Sequence, residues 1–132
     1  MTDFANIIIV DDEPAHAGLI EILLDDVAPG SNIAIVDPSD IDSLATRAAF
    51  GSQLLIDRRL GSRDALDVVQ RLSQDRPDIR VTLMSAFITE TDRTEARHAG
   101  ASAVFEKPMD LDGWRNQLLA LVVAGATQQR AA

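Results

Sequence analysis

The chain contains no cysteine and a single lysine among 132 residues. Without thiols it can close no disulfide and build no thiolate zinc site, and it has no need of either. A chain of this length buries about two-thirds of its unfolded surface in one domain. Positive charge is scarce as well, with 12 basic side chains against 21 acidic ones and a formal net charge of -9. That balance argues against a nucleic-acid surface, which needs clustered positive charge, and against docking on anionic lipid. Long apolar runs are missing too. The longest, Leu118 to Ala126, includes a glycine and falls well short of the roughly 20 residues of a membrane span. Met1-Thr2-Asp3-Phe4 offers no positive leader region, and the run Ile7 to Val10 ends in three acids rather than a cleavage site. The expectation is a soluble cytoplasmic protein with no direct nucleic-acid or membrane partner.

What is present alternates between two periods. Short runs rich in Ile, Val and Leu predict strands at 6–11, 32–37, 53–57, 80–85 and 102–106. Between them lie segments with helical apolar stripes: Leu19, Ile22 and Leu23 in the first; Ile41, Leu44, Ala45 and Ala48 in the second; Ala65, Val68, Val69 and Leu72 in the third. The fourth, Thr91 to Gly100, has only Ala96 and Ala99, whereas the fifth repeats Trp114, Leu118, Leu121 and Val122. Helix punctuation agrees: Pro14 opens the first, Pro29-Gly30 follows it, Ser39 with Asp42 and Thr89 with Asp92 suit caps of the second and fourth, and Gly100 ends the fourth. Residues 1–126 read as one domain and 127–132 as a short tail.

Alternating βα units imply an α/β fold, a parallel sheet with helices on both faces, because right-handed crossovers carry each helix over the sheet. Five strands suit the doubly wound, flavodoxin-like (βα)5 order 2-1-3-4-5, whose ligand crevice lies at the carboxyl ends of the strands. Those ends carry Asp11-Asp12-Glu13, Asp57, Ser85 and Lys107-Pro108. Three aspartates, one hydroxyl and the only lysine therefore share a rim.

Two carboxylates about 4 Å apart repel by roughly 4 kcal/mol at an effective dielectric of 20, so three in one crevice call for counter-charge. Oxygen-rich sites suit a hard divalent cation, and Mg²⁺ commonly takes one or two carboxylates plus phosphate oxygens. A carboxylate beside such a cation can attack phosphorus as a nucleophile, while a cationic side chain and a hydroxyl neutralise and hydrogen-bond the phosphoryl oxygens. Lysine suits that task as a compact, swinging point charge.

The motifs Ile7-Ile8-Ile9-Val10-Asp11-Asp12-Glu13-Pro14, Leu54-Leu55-Ile56-Asp57, Met84-Ser85-Ala86 and Lys107-Pro108 resemble the signature of response-regulator receiver domains of two-component signalling, the CheY-like superfamily. The resemblance runs from Asn6 to about Gly125. It implies that Asp57 is the phosphoacceptor, that Asp11, Asp12 and Asp57 hold Mg²⁺ with the backbone carbonyl of Arg59, that Ser85 is the switch hydroxyl, and that Lys107 pairs with the phosphoryl group. It also implies a cis Lys107-Pro108 bond, cis geometry being essentially confined to X-Pro. The partners implied are a sensor histidine kinase or a histidine phosphotransfer protein, a downstream protein target, and a second copy of the chain in a possible homodimer. On this reading the chain is a single-domain phosphoacceptor signalling domain, not an enzyme on free substrates.

Three departures individualise the chain. Gly61 and Ala65 stand where many receivers have Pro and Gly, so the loop after Asp57 is expected to differ in shape. Arg59 and Phe87 are candidates to reach over the pocket and tune phosphoryl lifetime, with a plain surface role as the rival. Val104 occupies the place where many relatives carry a switching ring, and Phe105, one residue on, faces the other side of a strand. Readout is therefore expected through the loop after Ser85 and the sparsely apolar fourth helix. Each site residue also has a plainer rival reading: the acids as the start of a helix, Ser85 as a turn residue, and Lys107 as an exposed lysine. His16 and His98 read as surface or boundary histidines. Two other classes stay open, a receiver-like module that binds partners without phosphorylation and a small phosphatase with an aspartyl nucleophile. The latter would usually want a second acid where Arg59 stands.

Overall fold

A computed structural model describes residues 6–131, with side chains described through residue 124. Five strands form the main sheet: β1 (Ile7–Val10), β2 (Ile33–Ile35), β3 (Gln53–Asp57), β6 (Arg80–Ser85) and β7 (Ala103–Glu106). A small hairpin, β4 (Arg59–Leu60) with β5 (Arg63–Asp64), interrupts the series. Sheet order is β2-β1-β3-β6-β7 and every pairing is parallel, which is the 2-1-3-4-5 order once the hairpin is set aside. The helices are α1 (Pro14–Val27), α2 (Leu44–Arg47), α3 (Ala65–Asp75), α4 (Glu90–Ala99) and α5 (Leu111–Ala131). No helix among the described residues is long and apolar enough to cross a membrane.

Successive residues of a strand point to opposite faces, and both faces of this sheet are covered. Ile8, Val10, Leu54, Ile56, Val81 and Leu83 pack toward α2, α3 and α4. Ile7, Ile9, Leu55, Met84 and Phe105 pack toward α1 and α5. The strands are therefore continuous apolar runs, as a parallel sheet buried on both sides requires. Phe105 lies edge-on to Trp114, with ring centroids 5.9 Å apart, and Val104 faces the opposite layer.

Several elements differ from expectation for identifiable reasons. The inward face of α1 is Ala17, Ile20 and Leu24, while Ile22 is 68% exposed; leucine and isoleucine surround this helix, so periodicity alone could not select the face. The second helix is a 3₁₀ segment, Pro38–Ser43, followed by one turn of α2. Its cap is Asp37, which accepts from the Ser39 N–H at 2.9 Å, not Ser39 itself. α5 continues through residues 127–131, expected as a tail, because glutamine, arginine and alanine propagate a helix; Ala132 and residues 1–5 lie outside the described region. All described peptide bonds are trans, Lys107-Pro108 included. Trans is the lower-energy form of an X-Pro bond by about 0.5–1 kcal/mol, and the lysine reaches its partners without the cis form. The capping box Thr89/Asp92 and the left-handed Gly100 (φ 110°) are present as expected. A Cβ on Gly100 would sit 2.4 Å from the Ser73 Cβ, so conformation and close approach to α3 both require glycine there.

One turn of α2 cannot satisfy its own carbonyls, and Arg76 does so instead. Its guanidinium donates to the carbonyls of Ala45 (2.9 Å), Ala48 (3.1 Å) and Ala49 (3.3 Å) and forks onto Asp78 at 2.9 and 2.8 Å. Asp78 also accepts the Gly51 N–H at 2.9 Å. The Arg76 hydrogen bond, with help from that N–H, pulls the Asp78 carboxyl down from 3.8 to about 2. A lowered acid favours the fold when ionised, so its contribution is complete above about pH 5 and is lost progressively as pH falls through 4 toward 2. Asp78→Asn is expected to lower stability by about 1–3 kcal/mol at pH 7. Urea midpoints at pH 7, 4 and 3 check this: the gap between wild type and variant should narrow as pH falls, and a constant gap would refute the assignment.

Candidate functional site

The carboxyl ends of β1, β3, β6 and β7 deliver Asp11 and Asp12, Asp57, Ser85 and Lys107 to one rim. Asp11 and Asp57 are buried, 5% and 8% exposed, and Asp12 is exposed. One carboxylate oxygen from each of the three lies within 4.8 Å of the others. The Lys107 ammonium bridges the two buried acids, 2.5 Å from Asp57 Oδ2 and 3.2 Å from Asp11 Oδ2. Backbone amides take the other oxygens: the Glu13 N–H donates to Asp11 Oδ1 at 2.9 Å and the Arg59 N–H to Asp57 Oδ1 at 3.0 Å.

Charge is unevenly balanced in this cluster. Burial raises the Asp11 carboxyl above its ordinary value, the neighbouring Asp57 adds to the rise, and the Glu13 amide and Lys107 offset part of it. Burial works against the Lys107 ammonium, but its hydrogen bond to Asp57 and the charges of Asp57 and Asp11 outweigh that and raise its pKa. The lysine therefore stays protonated, and one positive charge faces three carboxylates. A donor set of carboxylate oxygens with surplus negative charge fits a hard divalent cation.

The hairpin shapes the adjoining wall. Gly61 takes the positive φ of 65° that opens its tight turn, and the Gly61 N–H donates to Asp12 Oδ2 at 2.8 Å. This is the loop that carries Gly61 and leads to Ala65. A cavity of about 680 Å³ opens between it and the strand ends, lined in part by Asp57, Arg59, Ser85, Phe87 and Lys107. Arg59 and Phe87 are exposed at its mouth, Phe87 at 71%. Ser85 also lines the cavity, but its hydroxyl donates to the Phe87 carbonyl at 3.2 Å, not to Asp57.

Two residues of this region escaped sequence reasoning. His16 stands in the cavity wall with Nδ1 3.1 Å from Lys107 Nζ; the available signal was its place four residues before the buried Ile20, on the inward face of α1. Arg58, next to Asp57, turns to α4, with Nη1 2.5 Å from Asp92 and Nη2 3.4 Å from Glu95. A third acid, Asp64 at the N-cap of α3, lies 3.7 Å away. Arg93 donates to the Val104 carbonyl at 3.2 Å and Ser73 to the Ala99 carbonyl at 3.1 Å. α4 is thus poor in apolar anchors but tied down by polar ones.

The sequence matches the family described as response regulator receiver domain over residues 7–119. Among curated proteins, it is 31% identical over 108 residues to the transcriptional regulatory protein ZraR of Salmonella typhimurium, covering 81% of this chain and 24% of that protein. It is 32% identical over 108 residues to the response regulator protein PilR of Pseudomonas aeruginosa, covering 79% and 23%. The chain thus spans about a quarter of the length of these relatives. Among solved structures, a CheY-like response regulator receiver domain protein from Methanospirillum hungatei superposes with a TM-score of 0.80 at 18% identity, covering 96% of this chain and 97% of that one.

Because Arg58 carries the link from the Asp57 strand to α4, its removal should free that helix selectively. In Arg58→Ala, amide exchange across 90–99 is expected to quicken by about fivefold, the equivalent of one hydrogen bond of roughly 1 kcal/mol. Amides of α5 should keep their protection. Equal exchange in α4 of both proteins would show the ion pairs to be incidental.

Proposed function

Since the chain belongs to the response-regulator receiver family, we propose that Asp57 accepts a phosphoryl group from a sensor histidine kinase or a histidine phosphotransfer protein, in a Mg²⁺-dependent reaction, and that the product alters contacts with a downstream protein. The observation that carries this reading is the Asp57 carboxylate itself, buried at 8% exposure yet opening on the cavity, with Lys107 against one oxygen and a backbone N–H against the other. An Asp57 oxygen attacks phosphorus as the P–N bond to the donor imidazole breaks, and the departing nitrogen keeps that electron pair. Asp11, Asp12 and Asp57, with the Arg59 carbonyl, would hold the Mg²⁺, which when bound supplies neutralising charge to the phosphoryl oxygens. Lys107 supplies the second cation and shifts from the carboxylate to a phosphoryl oxygen.

The switch follows from two hydrogen bonds. Ser85 exchanges the Phe87 carbonyl for a phosphoryl oxygen, which draws in the loop ahead of α4. Arg58, on the residue after Asp57, ties the same helix at Asp92 and Glu95. Readout through α4 is supported by this connection and by Val104, which offers no ring to rotate. The same Val104, together with the Gly61 latch on Asp12, favours as a second reading a module that binds partners without phosphorylation.

Intact mass after incubation with Mg²⁺ and a small phosphodonor separates these readings. One phosphoryl adduct is expected on wild type and none on Asp57→Asn; no adduct on either would leave the constitutive module, and turnover of free phosphoesters would indicate a phosphatase. Once formed, the adduct should decay at a rate set partly by the residues at the cavity mouth. Arg59→Ala and Phe87→Ala are each expected to change that rate severalfold, and unchanged decay in both would reduce them to surface residues.

A further inference from the structure

An ammonium has three N–H donors and no acceptor. For Lys107, Asp57 Oδ2 and Asp11 Oδ2 take two of them, and His16 Nδ1, at 3.1 Å, faces the third. The groups facing that nitrogen are Lys107, Glu13 Oε2 at 3.2 Å and Asp11 Oδ2 at 3.9 Å. Lys107 and Glu13 make opposite demands. A lone pair on Nδ1 accepts from Lys107, whereas an Nδ1–H would donate to Glu13. The lysine side chain is 10% exposed and held by two carboxylates, while that of Glu13 is 59% exposed and free to turn into water. An Nδ1–H would also set two donors 3.1 Å apart. The geometry therefore suits the tautomer that carries its proton on Nε2 and turns its Nδ1 lone pair toward Lys107. Its ring lies 6.5 Å from that of Trp114, which is buried and backs it.

We propose that His16 is a positioning residue that completes a three-point seat for Lys107 and holds the ammonium against Asp57 for phosphoryl transfer. The inference rests on Asp57 being the phosphoacceptor. Two carboxylates fix where the ammonium sits but leave it able to sway between them; a third acceptor restrains its direction. A neutral acceptor does this without cancelling lysine charge, which a third carboxylate would do.

The single lysine makes the test specific, because protein labelled with ¹⁵Nζ-lysine has one side-chain ammonium to observe. In wild type an ammonium bound at three points exchanges slowly with water and gives a resolved ¹H–¹⁵N peak. His16→Leu should broaden or abolish it. His16→Asn, whose Oδ1 falls near the place of Nδ1, should restore it, and His16→Gln, whose amide reaches toward the place of Nε2, should not. Phosphorylation by a small phosphodonor with Mg²⁺ should be about fivefold slower in the Leu and Gln variants, about 1 kcal/mol at 1.36 kcal/mol per decade, and near wild type in Asn. A Leu variant with wild-type peak and rate would overturn the proposal, as would an Asn variant no better than Gln, a comparison that stands even if Leu fails to fold. If wild type shows the peak but takes no phosphoryl group, the phosphoacceptor reading falls with this role for His16, while the seat itself remains visible in the spectrum.

Discussion

The Lys107 ammonium between Asp57 and Asp11 is the interaction on which the site depends. Buried carboxylates repel, and burial alone would push them toward the neutral acid. One cation at 2.5 and 3.2 Å stands against that repulsion and offsets part of the rise that burial imposes on Asp11. The arrangement is deliberately short of neutral, since one lysine cannot balance three aspartates. That shortfall makes the pocket receptive to further positive charge.

The sheet delivers these groups without any local irregularity in β1, β3, β6 or β7. Parallel strands end together, so residues just past each terminus become neighbours although they lie far apart in the chain. Stability resides below the rim, in strands apolar on both faces and in α1 and α5 closing one layer. Adaptability resides at the rim: the hairpin is two residues per strand, and α4 buries only Ala96 and Ala99. A helix held mainly by Arg58, Arg93 and Ser73 is one whose restraints can be exchanged singly, whereas a packed apolar face yields only as a unit.

The same contrast explains what could be read from sequence. Strands buried on both faces are short β-branched runs between punctuating residues, so all five were legible to within a residue or two, and with them the order of the sheet. The rim acids and the lysine were legible because strand ends converge by topology. The hairpin at 59–64 was not, since two-residue strands carry no period. α1 was legible as a helix but not in its facing, because Leu19, Ile20, Ile22, Leu23 and Leu24 nearly encircle it. His16 was passed over because a lone histidine on a helix has no ligand spacing, and its meaning comes from a lysine 91 positions away. The cis bond at Lys107-Pro108 came from the family resemblance alone, and nothing in the local sequence demanded it.

Arg58, Arg76 and Arg115 divide the work with the one lysine along chemical lines. Where a contact must hold, the planar guanidinium fork serves: Arg76 grips Asp78 and the α2 carbonyls, Arg115 joins α5 to Asp26 of α1, and Arg58 reaches two acids of α4. A fork matched to a carboxylate is costly to redirect, because its geometry as well as its charge must be satisfied again. On the proposed phosphoacceptor reading, the cation at Asp57 would instead give up one oxygen for another that arrives later. A point charge on a four-carbon stem can follow that exchange while its donors are re-shared. On that reading, the residue used once in the composition stands where a cation has to move.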